Sequence, residues 1–371
     1  MPRVLVDAAA VPADRGALIR YVDGLVAALH RAGADLAVVC QRAEAERYRL
    51  LAPSAHVLTG PVAITNRAAR LAWEQSGLPL LARQVGADVI HAPYYSIPIR
   101  SGLPIVVTVH DATWFTEHDR HNPRASFFRS ATRTAVRHAQ RVIVPSKATR
   151  DELVRVLSAD PTRIDVAYHG VDLMQFHPPS EEEVHRAAAR CGLHGQPYVA
   201  FLGALAPRKN VPNLIRGFAS AVKALEKPPA LVLGGGVHED DVDAACREVE
   251  ATVKVVRPGY LRAPDLPGFL GGALVVAFPS RGEGFGLPVL EAMACGAPVL
   301  TTCRTSLPEV GGDAVAYTEP DAGSIAAAIG QLLASPERRA QLRQAGLARA
   351  GEFTWDASAE AHLSSYQRAI E

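Results

Sequence analysis

Short apolar, β-branched runs recur along this chain, each separated from the next by a stretch of helical length rich in Ala, Leu and Arg. In the first half they lie at 4–7, 36–40, 88–91, 105–110, 142–144 and 164–167, with helical stretches such as 17–31 and 124–140 between them. The runs lack polar alternation, as strands buried on both faces of a parallel sheet must. Strand–helix–strand repetition predicts right-handed crossovers and a doubly wound α/β sheet. The alternation breaks at Phe176-His177-Pro178-Pro179-Ser180, where two prolines remove backbone donors, and the acidic run Glu181-Glu182-Glu183 leads into a helix. It resumes with runs at 198–202, 230–233, 254–256, 274–278 and 297–301. The expected organisation is therefore two Rossmann-like domains, 1–178 and 179–353, and a closing helix over 354–371. A length of 371 residues accommodates two domains of ordinary size.

Charge and cysteine content narrow the function classes. Lys plus Arg number 39 and Asp plus Glu 38, a net charge of +1, so the basic excess of a nucleic-acid binder is absent. The five cysteines are scattered and never spaced as Cys-x-x-Cys, which argues against a disulfide scaffold or zinc module and suits a reducing compartment. The first residues lack the apolar core of a signal peptide and no apolar run reaches about 18 residues, so a cytoplasmic protein is expected.

Doubly wound domains place ligands at the carboxyl ends of their strands. The densest such place is Phe278-Pro279-Ser280-Arg281-Gly282-Glu283-Gly284-Phe285-Gly286-Leu287-Pro288-Val289-Leu290-Glu291. Three glycines within five residues let backbone amides approach a ligand, and Pro288 suits a first helical turn. The helix N-terminus offers amides and a partial positive charge to phosphate. Glu283 in the loop and Glu291 on the helix can touch different parts of one ligand, each a bidentate acceptor for vicinal hydroxyls. A Gly-rich turn with two solvated glutamates is the bland alternative, and it leaves the conjunction of turn, helix start and acidic pair unexplained. Arg208 and Lys209 follow a strand-terminal Gly203 and precede a helix, where cations can neutralise a departing diphosphate.

Glu283 to Glu291 forms a Glu-x7-Glu motif within Pro-Ser-x-x-Glu-Gly-Phe-Gly-Leu-Pro, and the segment resembles the retaining GT-B glycosyltransferases, most of all the large fourth family that uses nucleotide sugars. Leu202-Gly203-Ala204-Leu205-Ala206-Pro207-Arg208-Lys209-Asn210, Tyr168-His169-Gly170-Val171-Asp172, Val144-Pro145-Ser146-Lys147 and Val109-His110-Asp111 support the likeness over nearly the whole chain. The resemblance implies two facing Rossmann-like domains with an interdomain cleft and a C-terminal helix crossing back to the first domain. The reaction it implies is hexosyl transfer with retention from a GDP- or UDP-linked sugar, needing no cofactor and no metal. The acceptor would be a glycan, lipid-linked or small molecule. Glu291 would bind the ribose; Glu283, with Gly284, Phe285 and Gly286, the donor sugar; Arg208 and Lys209 the diphosphate. Gly16, Gly203, Tyr260 and Leu287 would complete the donor site, and His110 would approach the sugar, an imidazole able to donate a hydrogen bond to it. The context His110-Asp111-Ala112-Thr113-Trp114 resembles mannosyltransferases of the family, favouring GDP-mannose. Two departures are visible: Ala204 stands where many relatives have Arg, and the loop Pro12-Ala13-Asp14-Arg15-Gly16-Ala17 has one glycine where relatives often have two.

Other motifs lead elsewhere or nowhere. Gly234-Gly235-Gly236-Val237-His238-Glu239 begins like a dinucleotide fingerprint, but Glu239 would oppose a pyrophosphate. Asp241-Val242-Asp243 mimics a metal-binding Asp-x-Asp yet lies in an acidic helix start. Arg129, Arg133 and Arg137 share one helix face. They form either a solvated surface or a platform for an anionic lipid-linked acceptor or the inner face of a membrane, with peripheral contact there. A nucleotide-sugar epimerase or hydrolase would use the same donor site, and product analysis without acceptor separates it from a transferase. A non-catalytic sugar-nucleotide-binding protein would not need Glu283, Arg208 and Lys209 together.

Overall fold

A computed structural model describes residues 1–11, 16–115, 123–236 and 239–371; Pro12, Ala13, Asp14, Arg15, Val237 and His238 lie outside the described residues. The chain forms two compact units, one of Met1–Gly170 with Thr354–Glu371 and one of Val171–Phe353.

The first unit is built on seven parallel strands: β1 (Arg3–Asp7), β2 (Asp35–Cys40), β3 (His56–Thr59), β4 (Val89–Ala92), β5 (Ile105–Thr108), β6 (Arg141–Val144) and β7 (Ile164–Val166). Their order is β3-β2-β1-β4-β5-β6-β7, with registers such as Val4↔Leu36 and Val4↔Val89. Val4, Leu5, Val6, Val89, Ile90, Val106 and Val107 are wholly buried, because helices cover both faces of a parallel sheet. The closing helix Trp355–Ile370 starts at Thr354, whose side chain accepts from the Ala357 amide. It packs on the helix Ala17–Arg31 and is tied to β7 through Asp165, which accepts from Ser365 at 2.7 Å and pairs with Arg368 at 2.9 Å.

The second unit holds β8 (Tyr198–Leu202), β9 (Ala230–Gly234), β10 (Val255–Gly259), β11 (Val275–Phe278), β12 (Val299–Thr302) and β13 (Ala316–Thr318) in the order β10-β9-β8-β11-β12-β13, all parallel. The strand order reverses between β1 and β4 in one sheet and between β8 and β11 in the other, the switch points where such sheets open a crevice. The division between units falls at 170/171, not at 178. Phe176 is buried, and a Cβ on Gly271 would meet Pro179 at 2.4 Å, so the proline-rich segment packs into the second unit. Ser180 caps the helix Glu181–Arg190 in a capping box with Glu183. No helix among the described residues is long and apolar enough to cross a membrane.

Candidate active site

β8 and β11 are adjacent and parallel, so the loops leaving their carboxyl ends emerge side by side. After β8 the chain makes a 3-10 turn, Pro207–Lys209, and Asn210 takes a left-handed conformation (φ 61°) that Asn tolerates better than most residues. Its side chain donates to the carbonyls of Pro279 (3.1 Å) and Pro320 (2.6 Å), while the Arg281 amide donates to Arg208 O at 2.8 Å. These bonds bring Arg208 and Lys209 onto Glu283. Arg208 Nη1 lies 2.7 Å from Glu283 Oε2, and Lys209 Nζ lies 2.6 Å from Oε1 and 4.5 Å from the centre of the Phe278 ring.

Glu283 and Lys209 are each 6% exposed. Burial opposes the charge on Glu283, but the fields of Lys209 and Arg208 and their hydrogen bonds outweigh it and hold the carboxyl down at about 2. The pair is buried, and removing one partner of such a pair costs about 3–5 kcal/mol because the other charge is left uncompensated. The helix Leu287–Ala294 begins directly beyond. Gly286 precedes it at φ 107°, Pro288 lies in its first turn, and Glu291 is buried on its second. Phe285 and Leu287 are buried beside Gly284 and Gly286.

The remaining expected residues lie on other elements. Gly203 directly follows β8, its amide donating to Gly234 O at 3.0 Å, and a Cβ on Gly235 would come 3.0 Å from Gly203 O. The glycine run after β9 thus serves close packing of two loops. Tyr260 follows β10, two strands away from β8, and is 62% exposed. Gly16 precedes the helix Ala17–Arg31 in the first unit with ordinary extended geometry. His110 follows β5 there, with its Nε2 2.7 Å from Pro93 O and its ring edge-on to Tyr21 at 4.8 Å. Burial lowers its pKa against the opposing pull of Pro93 and Asp111, which favours the neutral ring. A carbonyl can only accept, so Nε2 carries the proton. Expected as a donor to the sugar, His110 has its N–H taken by Pro93 and offers Nδ1 as an acceptor.

Arg129 donates to Trp114 O at 3.2 Å and to Ser126 Oγ at 3.1 Å, and Arg133 lies over the Phe115 ring at 5.1 Å. Two members of the arginine stripe therefore hold the turn Thr113–Phe115, while Arg137 is exposed. Sequence reasoning missed Thr305 and Ser306, which follow β12 and bond the Glu283 backbone. Their position beyond a strand's carboxyl end was the available signal.

Comparison with known proteins gives this geometry a family. Residues 189–349 match the model for Glycosyl transferases group 1, and residues 19–175 match that for Glycosyltransferase Family 4. The chain is 30% identical over 283 residues to the O-antigen chain mannosyltransferase B of Escherichia coli, covering 75% of this chain and 74% of that one. It is 31% identical over 305 residues to the D-inositol 3-phosphate glycosyltransferase of Segniliparus rotundus, a match over 76% of this chain and 66%, just under two thirds, of that relative. Among solved structures, the sucrose-phosphate synthase of Thermosynechococcus elongatus superposes with a TM-score of 0.79 at 22% identity, covering 99% of this chain and 98% of that one. HepE of Anabaena, solved in complex with UDP-glucose, gives 0.77 at 18% identity, covering 99% and 100%. These likenesses give the GT-B fold. With both halves matched by adjoining models and a mannosyltransferase 30% identical over three quarters of each chain, this protein belongs to the group 1 glycosyltransferases.

Proposed function

We propose that this chain transfers a hexosyl group from a nucleoside-diphosphate sugar to an acceptor hydroxyl with retention of configuration and without a metal ion, mannose from GDP-mannose being the favoured donor. The observation that carries the reading is the buried carboxylate of Glu283 clasped by Arg208 and Lys209 at a sheet switch point, one turn before a helix N-terminus. Arg208, Lys209 and the first turn of the helix Leu287–Ala294 would take up charge on the leaving diphosphate, where fixed positive groups in a buried site act most strongly. Glu283 would hold the sugar hydroxyls and Glu291 the ribose. The acceptor hydroxyl would attack from the face the diphosphate leaves, its proton passing to a phosphate oxygen of the leaving group. The similarity to a mannosyltransferase and to a structure holding UDP-glucose supports a nucleotide-sugar donor.

A thermal-shift screen with GDP- and UDP-sugars tests the donor, since ligand at 100 times its Kd adds about 2.7 kcal/mol. With the donor found, Arg208→Ala is expected to lower donor-saturated kcat by about 10²-fold, because charge on the diphosphate grows in the transition state. Unchanged kcat in the folded variant removes Arg208 from the chemistry. EDTA is expected to leave activity intact, and loss restored by manganese overturns the metal-free part of the reading.

A further inference from the structure

Thr305 has φ +50°, in the left-handed region that a β-branched side chain seldom enters. Glycine would adopt this conformation freely, and strained residues persist where their surroundings over-determine them. Here the constraint is visible. Thr305 Oγ1 accepts the amide hydrogen of Glu283 at 2.8 Å. Ser306 Oγ, 2.9 Å from both the Glu283 and Phe285 carbonyls, shares its hydrogen between them. Two further hydroxyls from the end of β12 continue the attachment: Thr302 donates to Ser280 O at 2.6 Å and Thr301 to Phe278 O at 2.9 Å. The segment from Phe278 to Phe285 is thus fastened along its backbone by a row of hydroxyls, while Arg208 and Lys209 fasten the Glu283 carboxylate. Within that row Thr305 is the residue held in a strained conformation, and its hydroxyl meets the amide of Glu283 itself.

We infer that Thr305 is a positioning residue for the transfer reaction, its hydroxyl fixing the Glu283 backbone so that the carboxylate is aimed at the donor sugar. This rests on the reading above that Glu283 holds that sugar. Three variants of the full chain test it. Thr305→Val keeps the branched shape and loses the acceptor, Thr305→Ser keeps the hydroxyl without the branch, and Thr305→Gly removes both hydroxyl and strain. Hydrogen exchange at the Glu283 amide is expected to rise about tenfold or more in the Val and Gly variants and to stay near wild type in Ser. Donor-saturated kcat is expected to fall about tenfold in Val and Gly, with Ser restoring it, because a small misplacement of a contact group is costly. Affinity for the free nucleoside diphosphate, which lacks the sugar, is expected to change by less than about twofold in all three. Wild-type exchange or wild-type kcat in either variant without the hydroxyl overturns the inference, and so does a Ser variant as impaired as Val. Should Val fail to fold, Gly supplies the same test without backbone strain. The exchange measurement needs no substrate, so a wild-type chain inactive on every nucleotide sugar would defeat the functional reading while leaving the hold on Glu283 separately decided.

Discussion

Two buried glutamates show how surroundings decide a carboxylate's charge. Glu283 faces two cations and stays ionised, so its contribution to stability is present above the ordinary value of 4.5 and is lost only as pH falls toward about 2. Glu74, in the first unit, has the opposite fate. Burial and the nearby Asp7 push it up to about 7, against hydrogen bonds from Ser96 (2.6 Å) and Gln75 (3.1 Å) and the field of Arg70. The folded chain therefore holds more protons than the unfolded one between about pH 4.5 and 7, and stability falls as pH rises through that window. Glu74→Gln is expected to remove the penalty, gaining about 1–2 kcal/mol at pH 8 relative to its effect at pH 5. Urea titrations at the two pH values measure it. An effect independent of pH would mean that Glu74 titrates normally in the folded chain.

At the scale of elements, Gly286 links the Glu283 loop to the helix Leu287–Ala294. Its φ of 107° excludes ordinary side chains, and a Cβ there would come 3.0 Å from Leu307 Cδ2. Gly286→Ala is expected to cost about 1–3 kcal/mol in stability and to weaken nucleoside-diphosphate binding, since the helix start would have to move. An unchanged melting temperature and an unchanged calorimetric Kd would show that this geometry is dispensable. The same elements explain what could be read in advance. β1, β4, β5, β8 and β11 were legible because burial on both faces demands continuous apolar runs. β3 and β13 were not, since each has only three or four residues, none of them buried, and carries His56 and Thr59 or Tyr317 and Thr318. Arg208, Lys209, Glu283 and Glu291 were visible because each pair sits in one short segment, whereas Thr305 meets Glu283 across 22 residues. The arginine stripe showed its helix face but not its use, because the turn Thr113–Phe115 meets it only through the tertiary path of the chain.

At the scale of the molecule, the last 18 residues belong with the first unit, and a polar chain buried in that unit joins them to the sheet. Tyr366 Oη lies 2.8 Å from His91 Nδ1, His91 Nε2 2.9 Å from Thr108 Oγ1, and Thr108 Oγ1 2.7 Å from Tyr21 Oη. Tyr21 Oη lies 2.9 Å from His362 Nε2, and His362 Nδ1 2.7 Å from Ser358 O. Ser358 O can only accept, so with His362 neutral the hydrogens fall into one direction. His362 donates from Nδ1 to Ser358, Tyr21 donates to His362, Thr108 to Tyr21, His91 to Thr108 and Tyr366 to His91, leaving every link satisfied. Protonating His362 would turn Nε2 into a second donor facing Tyr21, and burial already lowers its pKa to about 4. His91 and His169 are lowered well below the ordinary value of 6.5 and His110 is lowered as well, burial being the first cause in each. Unfolding frees these rings to bind protons at their ordinary value of 6.5, so the stability they support is full above that pH and is lost as pH falls below it. Asp7 and Glu74 act in the opposite sense, but two carboxylates face four histidines. The unit containing the closing helix is therefore expected to lose stability between pH 6.5 and 5, at about 1.4 kcal/mol per pH unit for each net proton bound on unfolding. His362→Gln, which retains hydrogen-bonding groups but cannot titrate, is expected to reduce that uptake by about one proton. Denaturant unfolding of the full chain, followed by amide exchange in 355–370 across this pH range, gives the slope; an unchanged slope in the variant would mean that His362 already binds its proton in the folded chain.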